Sequence, residues 1–378
     1  MTLQISRRTF MRNAGLTAGA LALSPLLKAC AGVVRADLPQ GMNAGLKIPG
    51  MSSEAYGMLV CAALAASSHN SQPWRVTVES ENRWIVGADR SRHLKAVDPD
   101  GRELALSVGC FMENLETAAG HYGFEIEKTA MDSSRLSPEI LRLEFRKCSS
   151  HCVSLEKLKL RRTLRKGYLN TPLSPEHVAV LEKCAADTEL LFFPADGAAG
   201  AYLKEGALES FKAQSARDDA QAELADWIRF SDREARAVCD GLTPESMEIN
   251  GFAGWYVRNF MKRDSVLSAD FRRRGNEGAA EQVGSCGGWF VLCSRDGSTA
   301  ELLRVGGVFQ RLQCEARGLR IAVHPMSQML EETPWRSEIR SRLALSGEPQ
   351  FILRCGCVKY FPAPVSLRRP PEAFTVAE

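Results

Sequence analysis

Two short segments of this chain hold residue types at spacings that suit chemistry. The first is Ser67-Ser68-His69-Asn70-Ser71-Gln72-Pro73-Trp74, a run of short polar side chains closed by a Pro-Trp pair. An apolar stretch leads into it. Such a loop presents several hydrogen-bond partners to one flat, polar-edged ligand without surrounding it with charge. Alone, an Asn-Ser-Gln-Pro loop is more often a plain turn. The second segment is Arg161-Arg162-Thr163-Leu164-Arg165-Lys166-Gly167-Tyr168, followed by Pro172-Leu173. Guanidinium groups hold a phosphate dianion through paired, charge-assisted hydrogen bonds. An Arg-Arg-x-x-Arg run by itself is usually a solvated basic face, so the two segments matter as a pair.

The elements that would carry them recur. Residues 53 to 66 have helical periodicity behind a Ser52 or Ser53 cap, with Glu54 in the first turn. Strands at 74–78 and 84–88 follow, then the Asp98-Pro99-Asp100-Gly101 turn, a long helix from Glu103 to Gly120, and strands at 124–129 and 140–147. A second pass starts with a helix capped by Ser174 and Pro175 and running to Ala186, then a strand at 190–194. Later come a strand at 289–293, a helix from 300 to 318, and strands at 320–323 and 350–359. The long helices share a Val-Gly step, Val108-Gly109 and Val305-Gly306, which points to duplication. Small residues at Gly109, Gly306 and Gly307 would let two backbones approach closely, as a helix at a central interface needs.

With the loop, the arginines and the repeat together, the chain resembles the nitroreductase superfamily. Its flavin-cradling loop reads roughly Pro-Ser-Ser-x-Asn-x-Gln-Pro-Trp; here Ala66 replaces the leading Pro. The arginine run resembles the family's Arg-Arg-Ser-x-Arg phosphate motif. The resemblance covers nearly everything from Ser52 onward and is nearest to the Acg-type branch, single chains with two nitroreductase-like halves. It implies an α+β fold duplicated within one chain, with mixed or antiparallel sheets flanked by helices. The halves would span 52–155 and 156–378, after a linker at 37–51.

It further implies FMN, bound by Ser67, Ser68, Asn70 and Gln72 from the first half and by Arg161, Arg162, Thr163 and Arg165 from the second. In this scheme Arg161 and Thr163 hold the phosphate. Arg165 reaches the pyrimidine edge of the ring, where a cation stabilises the charge of reduced flavin. His324-Pro325-Met326-Ser327-Gln328 corresponds to a loop lying against the ring, with a backbone N–H for the flavin N5; His324 is the candidate proton donor. Arg368 and Arg369 resemble tail residues that return to the phosphate. Trp74 is expected to pack the loop.

Because neither half carries both motifs, one FMN per chain and a monomer are expected. An insertion at about 211–284 would be a lid or a helical brace, with Met247, Phe252, Trp255 and Tyr256 walling an apolar substrate space or filling core. The implied reaction is two-electron transfer to an organic acceptor of the nitro or quinone class. The alternatives are an FMN-sequestering protein with a closed lid and a scaffold with a degenerate pocket.

Residues 1–36 read as an export signal. Ser6-Arg7-Arg8-Thr9-Phe10-Met11-Arg12 resembles a twin-arginine motif for the twin-arginine translocase, and a mildly apolar segment runs from Ala14 to Leu27. Cleavage after Ala36 leads to the periplasm; lipid attachment at Cys30 is the second choice. Losing five bases and no acid takes the formal charge from +3 to −2, a balance that suggests no nucleic-acid partner. The 12 cysteines read as buried free thiols rather than a disulfide framework. Cys148-Ser149-Ser150-His151-Cys152 lacks a second ligand pair, so no metal is expected.

Overall fold

The computed structural model describes residues 32–38, 48, 51–148, 153–186 and 188–377. The twin-arginine motif, Cys30, most of the 37–51 linker and the His151–Cys152 end of the cysteine pair lie outside the described residues.

The first half runs α1 (Ser53–Ala62), β1 (Trp74–Ser80), β2 (Arg83–Ala88), α2 (Arg102–His121), β3 (Phe124–Ala130) and β4 (Leu141–Lys147). Two short helices follow, α3 (Glu156–Leu160) and α4 (Pro175–Lys183), then β5 (Leu190–Pro194). Six helices come next: α5 (Ala198–Ala216), α6 (Asp218–Trp227), α7 (Asp232–Val238), α8 (Gly251–Phe260), α9 (Arg263–Val266) and α10 (Ala269–Val283). The chain then resumes with β6 (Gly288–Ser294), α11 (Thr299–Gly318), β7 (Ile321–Pro325), α12 (Trp335–Arg342), β8 (Glu348–Cys357) and β9 (Thr375–Ala377). Among the described residues no helix is long and apolar enough to cross a membrane.

Caps set the helix starts. Ser52 accepts from the Ala55 N–H at 3.2 Å, Ser174 from His177 at 3.3 Å and Ser298 from Glu301 at 3.3 Å. Gly101 enters α2 at φ +67°, and the Asp98 carboxylate accepts the Leu104 N–H at 2.9 Å.

The duplication is explicit in the topology. One sheet has the order β3-β4-β2-β1, with β9 added beside β1; the other has β7-β8-β6-β5. These orders superpose strand for strand, and apart from the parallel β1–β9 pair every pairing is antiparallel. The helices α2 and α11 pack against each other reciprocally. A Cβ on Gly109 would overlap the Leu303 carbonyl, and one on Gly306 would overlap the Leu106 carbonyl. The pairs Leu106/Leu303 and Gly109/Gly306 occupy matching positions, so a pseudo-twofold axis passes between the helices. One continuous core runs from Trp74, Trp84 and Phe111 to Phe290, Phe309 and Phe351.

Three differences from the sequence expectations have physical causes. The first helix stops at Ala62 rather than running to Ala66, because the Leu64 and Ala65 N–H groups bond only three residues back, to the Cys61 and Ala62 carbonyls at 3.1 Å, and the Ala66 N–H leaves the helix for the Gln310 side-chain oxygen at 3.1 Å. The insertion is larger than 211–284. It fills the β5–β6 connection from Ala195 to Gly287, where the first half has a tight Glu81–Asn82 turn between β1 and β2. The charged helix expected through Trp227 is broken in two at Arg217, whose guanidinium is held by Glu332, Asp219 and the Ala96 carbonyl. Every described cysteine is free.

Candidate functional site

The polar loop is built from strained backbone and internal hydrogen bonds. His69, Asn70 and Gln72 all have positive φ, at 51–52°, each a cost on the order of 1–3 kcal/mol that neighbours must offset. The Ser67 hydroxyl accepts the Gln72 N–H at 3.0 Å, and Ser68 donates to the Glu103 carboxylate. Asn70 donates to the Gly241 and Leu367 carbonyls at 3.0 and 3.2 Å. Gln72 donates to the Cys239 carbonyl at 3.0 Å and accepts from the Arg369 N–H at 2.8 Å. Trp74 is fully buried and stacks on Phe111 at 5.0 Å, packing the loop as its position suggested.

Charge interactions tie the arginine segment to this loop: Arg165 acts on His69, and Arg161 acts on Arg368 of the tail. Arg368 donates to the Asn70 side-chain oxygen at 2.7 Å, so the carboxyl-terminal tail stitches loop to cations. Arg161 is 5% exposed and donates to Gln313 at 2.8 Å; Gln313 in turn donates to the Thr163 hydroxyl at 3.4 Å. Burial pushes both Arg161 and Arg368 below the ordinary guanidinium range, and the charge of Arg161 adds to the effect on Arg368. The Nε–H of each is buried without an acceptor. Desolvating a guanidinium without a counter-charge costs several kcal/mol, and orphaned donors beside it add to that. A dianion between these groups would satisfy both.

A second cluster lies at the His69 end of the loop. Burial lowers His69 to about 4, with Glu103 opposing and Arg165 assisting. Burial also drives His324 well below its usual value, with Arg165 and then Arg354 contributing. Two neutral imidazoles therefore face one cation. Arg165 donates to the Ser246 carbonyl at 2.7 Å, while its own carbonyl accepts from Arg354 at 2.6 Å. Arg102 donates to Glu103 at 2.7 Å and lies 4.0 Å from Glu331. Burial raises the Glu331 carboxyl well above the usual carboxylate range, and the charge of Glu103 raises it further.

Not every sequence candidate joins the site in the role expected. Arg162 donates to the Ala363 carbonyl at 2.7 Å and lies 3.7 Å from Glu248, so its charge is partly met within the protein. Arg369 turns toward the first sheet. It donates to the Gln72 carbonyl at 3.1 Å, lies 3.8 Å from Asp89 and sits over the Phe374 ring. It braces the loop from behind. The backbone donor expected of residues 324–328 is not supplied by Pro325, which has no N–H, or by Met326, whose N–H donates to the Ile352 carbonyl at 2.8 Å. Phe252 and Tyr256 are 73% and 50% exposed on α8, neither core nor the wall of an enclosed space.

The insertion closes the site. Its 239–248 segment touches the loop through Cys239 and Gly241, and the arginine segment through Ser246 and Glu248. Sequence reasoning passed over Glu103, Arg102 and Glu331, which are isolated charges in unremarkable helical contexts, and Arg35, which fell inside the apparent leader.

No family model matches the chain. It is similar to PigM of Serratia sp., named a probable NAD(P)H nitroreductase, at 25% identity over 78% of this chain and 86% of PigM. It is similar to acg of Mycobacterium tuberculosis, provisionally named an NAD(P)H nitroreductase, at 24% identity over 82% of this chain and 91% of acg. Among solved structures, it is similar to the FMN-dependent nitroreductase NfnB from Mycobacterium smegmatis, crystallised with NADPH. That match has a TM-score of 0.36 and 13% identity, over 58% of this chain and 96% of NfnB. Over about four fifths of its length the chain is thus similar to proteins named as NAD(P)H nitroreductases, and its own strand order repeats within one polypeptide.

Proposed function

We propose that this chain is an exported FMN-dependent oxidoreductase that holds one flavin between its halves and passes two electrons to an organic acceptor of the nitro or quinone class. The observation that carries the reading is the junction of the polar loop with the arginines: Arg368 bonded to Asn70, beside Arg161, with orphaned Nε–H groups on both.

Arg161, Arg368 and Thr163 would hold the phosphate, and Ser67, Ser68 and Asn70 the ribityl chain and one ring edge. FMN, when bound, supplies the hydride chemistry that no side chain here performs. Arg165 places a cation at the ring end, favouring a negatively charged reduced state. The 239–248 segment excludes water. Glu331, whose proton affinity is raised by burial and by the charge of Glu103, is a proton reserve near the Ser68-bonded Glu103, a better-placed one than His324, whose lowered proton affinity makes it a poor donor at neutral pH.

Support for FMN comes from the donor set, and the names of the relatives point to NAD(P)H and nitro compounds as the reacting partners. The second reading, a flavin-sequestering protein, draws support from the direct bonds of the insertion to both the loop and Arg165.

Purified protein is expected to be yellow, with oxidised-flavin absorbance and a released cofactor of FMN mass. A colourless protein that takes up no flavin would end the proposal. After anaerobic reduction with NAD(P)H or dithionite, mixing with a quinone or nitroaromatic in stopped flow should reoxidise it. Flavin inert to every acceptor would instead establish sequestration.

A further inference from the structure

The residues ahead of the first half are built into the site. Residues 32–38 form a short strap between the insertion and the carboxyl-terminal tail. The Gly32 N–H donates to Glu245 at 3.2 Å and the Val33 N–H to Asp232 at 3.1 Å. Val33 is buried with Ala235 and Leu367, and partly buried Leu38 packs against them. The centre of the strap is Arg35, 7% exposed. Its N–H donates to the Val365 carbonyl at 3.0 Å, its Nε to the Ser366 carbonyl at 3.0 Å and an Nη to the Lys159 carbonyl at 3.5 Å. Ser366 and Lys159 lie two residues ahead of Arg368 and Arg161. The guanidinium is thus pinned between the two segments that carry the other cations of the phosphate cluster.

We propose that Arg35 is a third phosphate-binding cation of this site, and that residues 32–38 stay in the mature protein, so that export processing cuts ahead of Gly32. This rests on the flavin reading above. Cleavage after Ala36, the site expected from sequence, would discard Arg35 and the anchored end of the strap. Processing at Cys30 would keep both.

Electrostatics agrees with the geometry. Burial pushes Arg35 down to about 9, with Arg161 and then Arg162 adding like-charge repulsion, and Arg35 in turn lowers Arg368. A protein tolerates such repulsion between buried cations where an anion relieves it.

The test uses the full chain with Arg35→Gln and Arg35→Lys, stripped of flavin and titrated separately with FMN and with riboflavin, which lacks the phosphate. Arg35→Gln is expected to weaken FMN about 30-fold while leaving riboflavin within about twofold, and Arg35→Lys to recover part of the loss. Unchanged FMN affinity, or FMN and riboflavin falling in parallel, would overturn the role of Arg35. A wild-type chain that binds neither flavin would instead overturn the flavin reading itself.

The intact mass of the protein made in its own host from the full-length gene is a separate check that needs no variant to fold. A mature chain that retains Arg35 is expected; a chain beginning at Asp37 would sink the proposal.

Discussion

The two halves share a strand order and a central helix, yet among the described residues the loops that the proposed site draws on differ between them. In the first half the helix-to-strand connection after α1 is the strained polar loop from Ser67 to Pro73; in the second, the residues after α4 serve structure. Thr188 binds Arg304, and Glu189 accepts the Gly347 N–H at 2.8 Å. The stretch after β3, Met131 to Glu139, is largely exposed, whereas the stretch after β7 carries buried Met326, Met329 and Leu330. The β1–β2 hairpin is minimal, and its twin holds the whole helical insertion. Duplication copied the scaffold, and each half then kept a different fraction of the chemistry. A homodimer must build both symmetric sites or neither; a fused chain is free of that constraint.

The sharpest way to break the comparison is at its axis. Gly109→Ala and Gly306→Ala each drive a methyl group into a backbone carbonyl of the facing helix, which cannot move aside as a side chain can. Each is expected to cost about 3 kcal/mol or more, and the two should match within about 1 kcal/mol if the axis is a true pseudo-twofold. Chemical denaturation of both variants reads this directly. A large loss at one glycine and none at the other would refute reciprocal packing.

Next in size is the asymmetry of the site. Arg161→Met and Arg368→Met are each expected to weaken FMN about 100-fold, equivalent to about 2.7 kcal/mol, the scale of a charge-assisted hydrogen-bonded pair. Glu189→Gln in the second half should leave FMN affinity alone, since its carboxylate is committed to Ser346 and Gly347. Flavin released per chain should be one. Two would mean that the second loop is also functional, and the division of labour between the halves would fail.

A third effect is on potential. Arg165→Gln removes the cation beside His69 and His324, so the reduced flavin loses a counter-charge. The two-electron midpoint is expected to fall by about 30–60 mV, at 30 mV for each tenfold change in relative affinity for the reduced form. Spectroelectrochemical titration measures it; an unchanged midpoint would place Arg165 away from the ring.

What was legible in the sequence follows from range. The loop and the arginine run are contiguous, so their composition shows in a few residues, and the repeated order of helices and strands shows in local periodicity. The Val-Gly steps even marked the contact across the axis. Other features depend on distant partners. That β9 returns to lie parallel to β1 is invisible in a three-residue strand, and Arg369 reads as a phosphate ligand until its Gln72 and Asp89 contacts are seen. Arg35 was hidden by its setting, a lone basic residue just after an apolar stretch. Glu331 is an ordinary acid in sequence, and its burial against Glu103 and Arg102 is a product of the assembled halves.

That last residue offers the subtlest test. Glu331 holds its proton more tightly in the fold than in the unfolded chain. Below about pH 4 both states are protonated and it contributes nothing. As the pH rises past the unfolded value near 4.3, the unfolded chain ionises while the fold still carries the proton, so stability falls with rising pH. Each tenfold difference in proton affinity amounts to about 1.4 kcal/mol. Glu331→Gln removes this liability and keeps an oxygen to accept from Gln214, which donates to Glu331 at 2.6 Å. The variant should match wild type near pH 4 and exceed it by about 1 kcal/mol or more at pH 7.5, read by urea unfolding at both values. The corresponding residue in the first half, exposed Ser134, has no such environment, so Ser134→Ala should show no pH-dependent difference. A Glu331→Gln advantage equal at both pH values would mean that the carboxyl is ionised in the fold, and the proton reserve assigned to it would be lost.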